Sequence, residues 1–204
     1  FNIGPEYNVR LAETLIRRRT DIRWGAYFSP RGIDAEQMRL FRASGLTHIE
    51  FGTESFCDRT LEAYGKRFTF GDVERASRLA LDEGVYYAHI LGGYGDTREN
   101  VRETIENSRR MEYTVMFPYA GMRIYPHTRL AELAAKEGAI GRDDDLMAPS
   151  YYISRDFDLE EVRRAALATG KAWVFPDDPQ SALADTLRLK RNKKGPLWEY
   201  LRKP

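Results

Sequence analysis

Between residues 47 and 100 the chain twice runs the same course: a short apolar strand ends in small and polar residues and passes into a helix. The first copy is THIEFGTES, residues 47–55, and the second is YYAHILGGYGDTREN, residues 86–100. Turns from a parallel strand into a helix build sites at the strand ends. The pattern therefore predicts an α/β fold whose function sits at these two turns.

Strand side chains alternate between faces, so Thr47, Ile49 and Phe51 share one side while His48, Glu50, Gly52 and Glu54 share the other. The first side can pack under helices. The second carries two carboxylates, which are costly to bury unless paired or hydrogen-bonded; a structural ion pair and a ligand site both meet that need. In the second copy Gly92, Gly93 and Gly95 lead into Asp96 and Glu99, which have capping-box spacing. A glycine turn before a helix start lets backbone amides approach a ligand and favours negative groups, although tight turns need glycine too.

The remaining elements fit around this pair. Leu11, Ala12, Leu15 and Ile16 recur at helical spacing up to the basic run Arg17 to Arg19. Ile22, Trp24, Ala26 and Phe28 alternate as a strand; Asp34 and Gln37 open a helix that Gly45 ends. After Ser55 come a short helical piece, DRTLEAYGK, and a helix from Thr69 carrying Val73, Ala76, Leu79 and Ala80 to Gly84. A helix from Asp96 has Val101 and Ile105 one turn apart; VMFPYAGMRIYP is extended, with a break at Pro118, and TRLAELAAKEG is helical. A helix followed by four strand-helix units predicts parallel pairing with right-handed crossovers, in part of an α/β barrel or an open sheet.

Residues 1–138 are expected to form this body and residues 139–204 a mainly helical extension. The extension contains an acidic loop from Asp143 to Asp145, a helix capped by Asp158 and Glu161, and a Pro-Asp-Asp-Pro linker at 176–179. The run Arg188 to Lys194 is expected to be a solvated basic face, and Leu197, Trp198, Tyr200 and Leu201 an aromatic tail that docks onto something, such as a part of the protein outside these residues.

Composition narrows the function classes. A net charge of +1 over 204 residues gives no field for nucleic acid. The single cysteine, Cys57, leaves no internal disulfide and no cysteine-built metal site. No apolar run approaches the roughly 18 residues of a membrane span and no signal peptide is visible, so a cytoplasmic location is expected. His48, His89 and His127 have no metal-type spacing.

Taken in order, FGTES at a strand end, LGGYGDTREN and RIYPHTRLA resemble the later half of a radical S-adenosylmethionine (SAM) enzyme, and most of all the subgroup with a cobalamin-binding domain ahead of the radical core. The resemblance covers roughly residues 1 to 138, and GPLWEYLRKP is similar to the subgroup's tail. It implies a partial (β/α) barrel of parallel strands with the first strands missing, and a [4Fe-4S] cluster on three cysteines after the first strand. It further implies SAM held by Gly52, Glu54 and Ser55 at the fourth strand, Gly92, Gly93 and Gly95 at the fifth, and Arg123 and Tyr125 at the sixth. These are cofactor-holding positions; the resemblance assigns no catalytic and no metal-binding residue here.

The departure from the family is the absence of CxxxCxxC. Phe1 and Asn2 resemble the end of the second strand, so the chain is expected to be the C-terminal part of a larger enzyme. The cluster and cobalamin would come only through the missing N-terminal region or a cluster-bearing partner. The complete enzyme would cleave SAM reductively to a 5′-deoxyadenosyl radical and modify, by methylation in the leading case, a small-molecule or lipid-like substrate. Two other readings stand beside this one. One is a non-catalytic half-barrel module or subunit; the other is a sugar- or phosphate-handling barrel using Glu50 and Glu54, which the strand rise sets about 13 Å apart at the backbone.

Overall fold

The computed structural model describes residues 1–2, 4–91, 97–119, 121–141, 143–155, 157–175, 195–202 and 204. In chain order the elements are α1 (Pro5–Arg17), β1 (Trp24–Phe28), α2 (Ala35–Ala43), β2 (Leu46–Glu54), α3 (Asp58–Ala63), α4 (Phe70–Asp82), β3 (Tyr86–Leu91) and α5 (Arg98–Ser108). There follow β4 (Val115–Pro118), β5 (Met122–Ile124), α6 (Arg129–Lys136), β6 (Ser150–Tyr152), α7 (Leu159–Leu167), β7 (Ala172–Trp173) and a 3₁₀ turn, Leu197–Leu201.

Local chemistry sets these boundaries. Asp34 caps α2 by accepting from the Gln37 amide, and Thr69 and Asp72 form a reciprocal capping box on α4. That box holds the Asp72 carboxyl below the usual carboxylate range, chiefly through the Thr69 amide. Thr128 and Asp158 cap α6 and α7. The cap of α5 is Thr97, whose hydroxyl accepts from the Asn100 amide, one residue later than the spacing from Asp96 to Glu99 predicts. Threonine has the same spacing to the amide of Asn100 that aspartate has to that of Glu99, so the sequence held two competing caps.

The main sheet runs β1-β2-β3-β4-β7, every pair parallel. Strand order never reverses, as it would in a doubly wound sheet; this is the order of a barrel wall. Helices α2, α4, α5 and α7 cover one face, where Ile49 and Phe51 of β2 pack with Phe28, Met38, Phe41, Val73, Ala76, Ile105 and Val162. These are the alternating residues that the sequence assigned to the core side, and Ile49 and Phe51 are fully buried. Of the expected partial barrel, the structure shows an α/β arrangement with five parallel strands.

Three differences arise beyond Pro118. The extended segment VMFPYAGMRIYP splits: Val115–Pro118 joins the main sheet, whereas Met122–Ile124 pairs antiparallel with β6 in a separate two-stranded sheet. That small sheet and α6 share a core of Ile124, Ala134, Leu146 and Tyr152. Residues past 138 also supply β7, the fifth strand of the main sheet. Two residues are too few for a period-two pattern to show, which is why the sequence read this region as helical.

The third difference is the aromatic tail, which docks onto its own sheet. Trp198 packs with Val115, Ala172 and Val174 on the face opposite the helices, and Glu199 Oε2 lies 2.7 Å from His48 Nε2. Lys171 donates from Nζ to the carbonyl of Pro204 at 2.9 Å. Among the described residues, the tail is what closes the sheet at the strands' N-terminal end.

At the other edge, Phe1 packs against Trp24, Phe28 and Phe41. The Asn2 side chain donates to the Ser29 carbonyl at 2.8 Å and accepts from the Ser29 amide at 2.7 Å. An amide side chain thereby takes up strand-like bonds beside the end of β1. The linker at 176–179 and the basic run from Arg188 to Lys194 lie outside the described residues. No helix among the described residues is long and apolar enough to cross a membrane.

Candidate functional site

The sheet face away from the helices carries, from bottom to top of β2, His48, Glu50, Gly52 and Glu54. His48 belongs to the floor: Nδ1 is 2.9 Å from the Thr47 hydroxyl, Nε2 meets Glu199, and the ring stands edge-on to Trp198. It is a structural histidine. Glu50 sits one step higher, opposite Tyr27 of β1 in the parallel register. The charge of the Glu50 carboxylate raises the Tyr27 phenol above its ordinary pKa.

The top of β2 is where the sequence placed the site, and the local geometry there is unusual. Glu54 has φ 68°, a left-handed backbone uncommon for a residue with a side chain. The β2–β3 register shifts between Phe51 and Glu54, so the strand breaks step as it ends. Strained backbone of this sort persists where surrounding bonds over-determine it, and those bonds are present. Ser55 Oγ lies 2.8 Å from Thr104 Oγ1 and accepts from the Cys57 amide at 3.0 Å. Thr104 also accepts from the Phe56 amide, and the Asn107 side chain donates to the Phe56 carbonyl at 2.7 Å. Helix α5 therefore clamps the turn that follows Glu54.

The Glu54 carboxylate is met by Lys66, whose Nζ lies 3.0 Å from Oε1 and 3.4 Å from the Gly52 carbonyl. Lys66 arrives there because Gly65, at φ 67°, terminates α3 and the Lys66 amide closes back on the Leu61 carbonyl. Both side chains remain partly open to solvent. A Cβ built on Gly52 would meet nothing within 4 Å among the described residues, so they leave the space beside it on this face open.

Glu54 and Lys66 border a cleft of about 800 Å³ together with Tyr64, Met122, Arg129, Leu130 and Leu133. The cleft lies between the end of α3 and the β5–α6 unit. It brings Glu54 together with residues that the sequence left unassigned, above all Lys66 and Arg129. The only hint of Lys66 was the Gly-Lys pair at a helix stop.

The other expected residues are placed less alike. Ser55 is buried, with its hydroxyl engaged in the clamp. Arg123 lies with its guanidinium 4.9 Å from the centre of the Tyr125 ring, both exposed, on and just after β5 of the small sheet rather than on the main sheet. Gly92, Gly93 and Gly95 lie outside the described residues. Cys57 is fully buried, and no group of histidine, cysteine and carboxylate side chains among the described residues is arranged to hold a metal.

Residues 3–107 match the Radical SAM superfamily. The chain is 25% identical over 153 residues to the tryptophan 2-C-methyltransferase of Streptomyces laurentii, covering 67% of this chain and 26% of that protein. Two structures of the radical SAM methyltransferase TsrM from Kitasatospora setae are also similar, each at 26% identity over 66% of this chain. One, with tryptophan and a SAM analogue bound, has a TM-score of 0.59 and is covered to 29%. The other, with cobalamin and a [4Fe-4S] cluster bound, has a TM-score of 0.58 and is covered to 27%. The chain thus spans little more than a quarter of the length of these relatives.

Proposed function

The chain belongs to the radical SAM superfamily, and from that premise we propose that it supplies SAM-holding strand ends to an enzyme of the cobalamin-associated, methyl-transferring kind. The observation that carries this reading is Glu54: a carboxylate at a strand end, on a left-handed backbone, oriented by Lys66 and bordering a cleft of about 800 Å³.

The residues present fit SAM. A carboxylate is acceptor-only and can take both vicinal hydroxyls of a ribose, and the open flank of Gly52 leaves room for a ligand to approach the strand. Lys66 would keep the carboxylate aimed along the strand, and the clamp from Ser55 to Thr104 would keep the strand end in place. Once bound beside a reduced cluster, SAM supplies the carbon radical with which chemistry in this superfamily begins.

The residues present do not fit the cluster. Three thiolates are required, and the chain has one cysteine, buried at the start of α3. We assign the cluster, and with it cobalamin, to segments other than these 204 residues, a reading supported by the TsrM structure that holds both. The TsrM structure with tryptophan supports a small-molecule substrate.

Calorimetry of the chain with S-adenosylhomocysteine, which keeps the ribose and amino-acid parts of SAM, tests the assignment. Glu54→Gln is expected to weaken binding about tenfold or more, the loss of one charge-assisted hydrogen bond. Equal affinity in the two proteins would remove Glu54 from the site.

A further inference from the structure

The cleft that Glu54 borders has more room and more charge than holding a ribose accounts for. Ligand pockets run from about 300 to about 1,000 Å³. This one, at about 800 Å³, has space for a second small molecule beside the cofactor. Four charged side chains line it, and two of them, Glu54 and Lys66, engage each other at 3.0 Å. Glu62 and Arg129 are left over. Neither makes an ion pair among the described residues, and both are open to solvent.

The two remaining charges stand on different walls. Glu62 lies in the last turn of α3, with Tyr64 just beyond it; Arg129 opens α6, next to Leu130 and near Met122 of β5. Leu130 and Leu133 are three residues apart and so share a helix face. That face of α6 lines the cleft, while Ala134 turns to the small core behind it. Tyr64, Met122, Leu130 and Leu133 are half-buried, so apolar side chains bound much of the space that the carboxylate and the guanidinium share. Such a cleft is complementary to a zwitterion on an apolar body. A simple cation gains Glu62 but is repelled by Arg129, and a simple anion meets the reverse.

We infer that the cleft takes, beside SAM, a free amino acid with a large apolar side chain. Its ammonium group donates to Glu62, its carboxylate accepts from Arg129, and its side chain lies on Met122, Leu130 and Leu133. Glu62 and Arg129 are long and unpaired, so they can converge on neighbouring groups, and they act as specificity residues for the two charges. Calling the occupant a substrate rests on the SAM reading of the same cleft; the preference for a zwitterion stands on the side chains themselves.

Three probes with one ring test this: L-phenylalanine, phenethylamine, which lacks the carboxylate, and 3-phenylpropionate, which lacks the ammonium group. Each is titrated into the isotope-labelled 204-residue chain, without and with S-adenosylhomocysteine, and affinity is read from the amide shifts of Gly65 and Met122. Phenylalanine is expected to bind about fivefold more tightly than either analogue, the upper end for an ion pair open to solvent. Arg129→Gln should abolish the advantage over phenethylamine and keep that over phenylpropionate, and Glu62→Gln should do the opposite. Thermal unfolding shows whether each variant is folded. Equal binding of the three probes, or a folded variant that keeps both preferences or loses both, would overturn the assignment. Displacement of phenylalanine by S-adenosylhomocysteine would give Glu62 and Arg129 to the amino-acid part of SAM and overturn it as well. Zwitterion preference without any binding of S-adenosylhomocysteine counts against the SAM site alone. Binding of S-adenosylhomocysteine with no preference among the three probes counts against the amino-acid site alone.

Discussion

Trp198→Ala is expected to destabilise the chain by about 3 kcal/mol, at the low end of the range for emptying a buried aromatic site. The ring is 8% exposed and packs against Val115, Ala172 and Val174 across the foot of the sheet. It also stands edge-on to His48, 5.4 Å between centroids, so its removal opens the His48–Glu199 pair to water. The low end applies because the indole Nε1 is buried without an acceptor among the described residues, and deleting the ring also deletes that donor. Trp198→Phe separates the two effects: it keeps most of the apolar area, removes the donor, and should cost less than about 1.5 kcal/mol. Urea midpoints of the three proteins provide the comparison. Equal losses for alanine and phenylalanine would mean that the tail does not depend on ring burial.

Gly45→Ala should cost about as much or more, for a backbone reason. Gly45 lies between α2 and β2 at φ 103°, and a Cβ there would stand 2.1 Å from the carbonyl oxygen of Ile22. Neither group can swing aside, because the Gly45 carbonyl accepts from the Trp24 amide at 3.0 Å and so fastens the start of β1 to β2. Backbone strain and forced overpacking each cost about 1–3 kcal/mol, which gives about 2–6 kcal/mol together. Gly84→Ala is the control. Gly84 has φ 66° but nothing among the described residues within 4 Å of a built Cβ, so only the conformational cost of about 1–2 kcal/mol remains. Similar urea midpoints for the two variants would contradict the close approach at Gly45.

Much of the barrel wall was legible because its information is local. The alternation in THIEFGTES put Ile49 and Phe51 in the core, and side-chain oxygens at Asp34, Thr69, Thr128 and Asp158 marked helix starts that the structure keeps. What was not legible depends on pairing across long stretches of chain. Ala172 and Trp173 become a strand only because β4 offers them an edge. Glu199 meets His48 across 151 residues, which no periodicity reveals. The site shows the same division. Strand alternation put Glu50 and Glu54 on one face, but whether either had a cation depended on where the end of α3 brought Lys66. It brought Lys66 to Glu54.

The most direct test of the SAM-holding assignment is a titration of the isotope-labelled chain with S-adenosylhomocysteine, followed by the NMR shifts of its backbone amides. The account predicts that the largest shifts fall on Gly52 to Cys57, on Gly65 and Lys66, and on Met122 across the cleft. Shifts confined to the foot of the sheet around His48 and Trp198, or none at all at these strand-end amides, would contradict it.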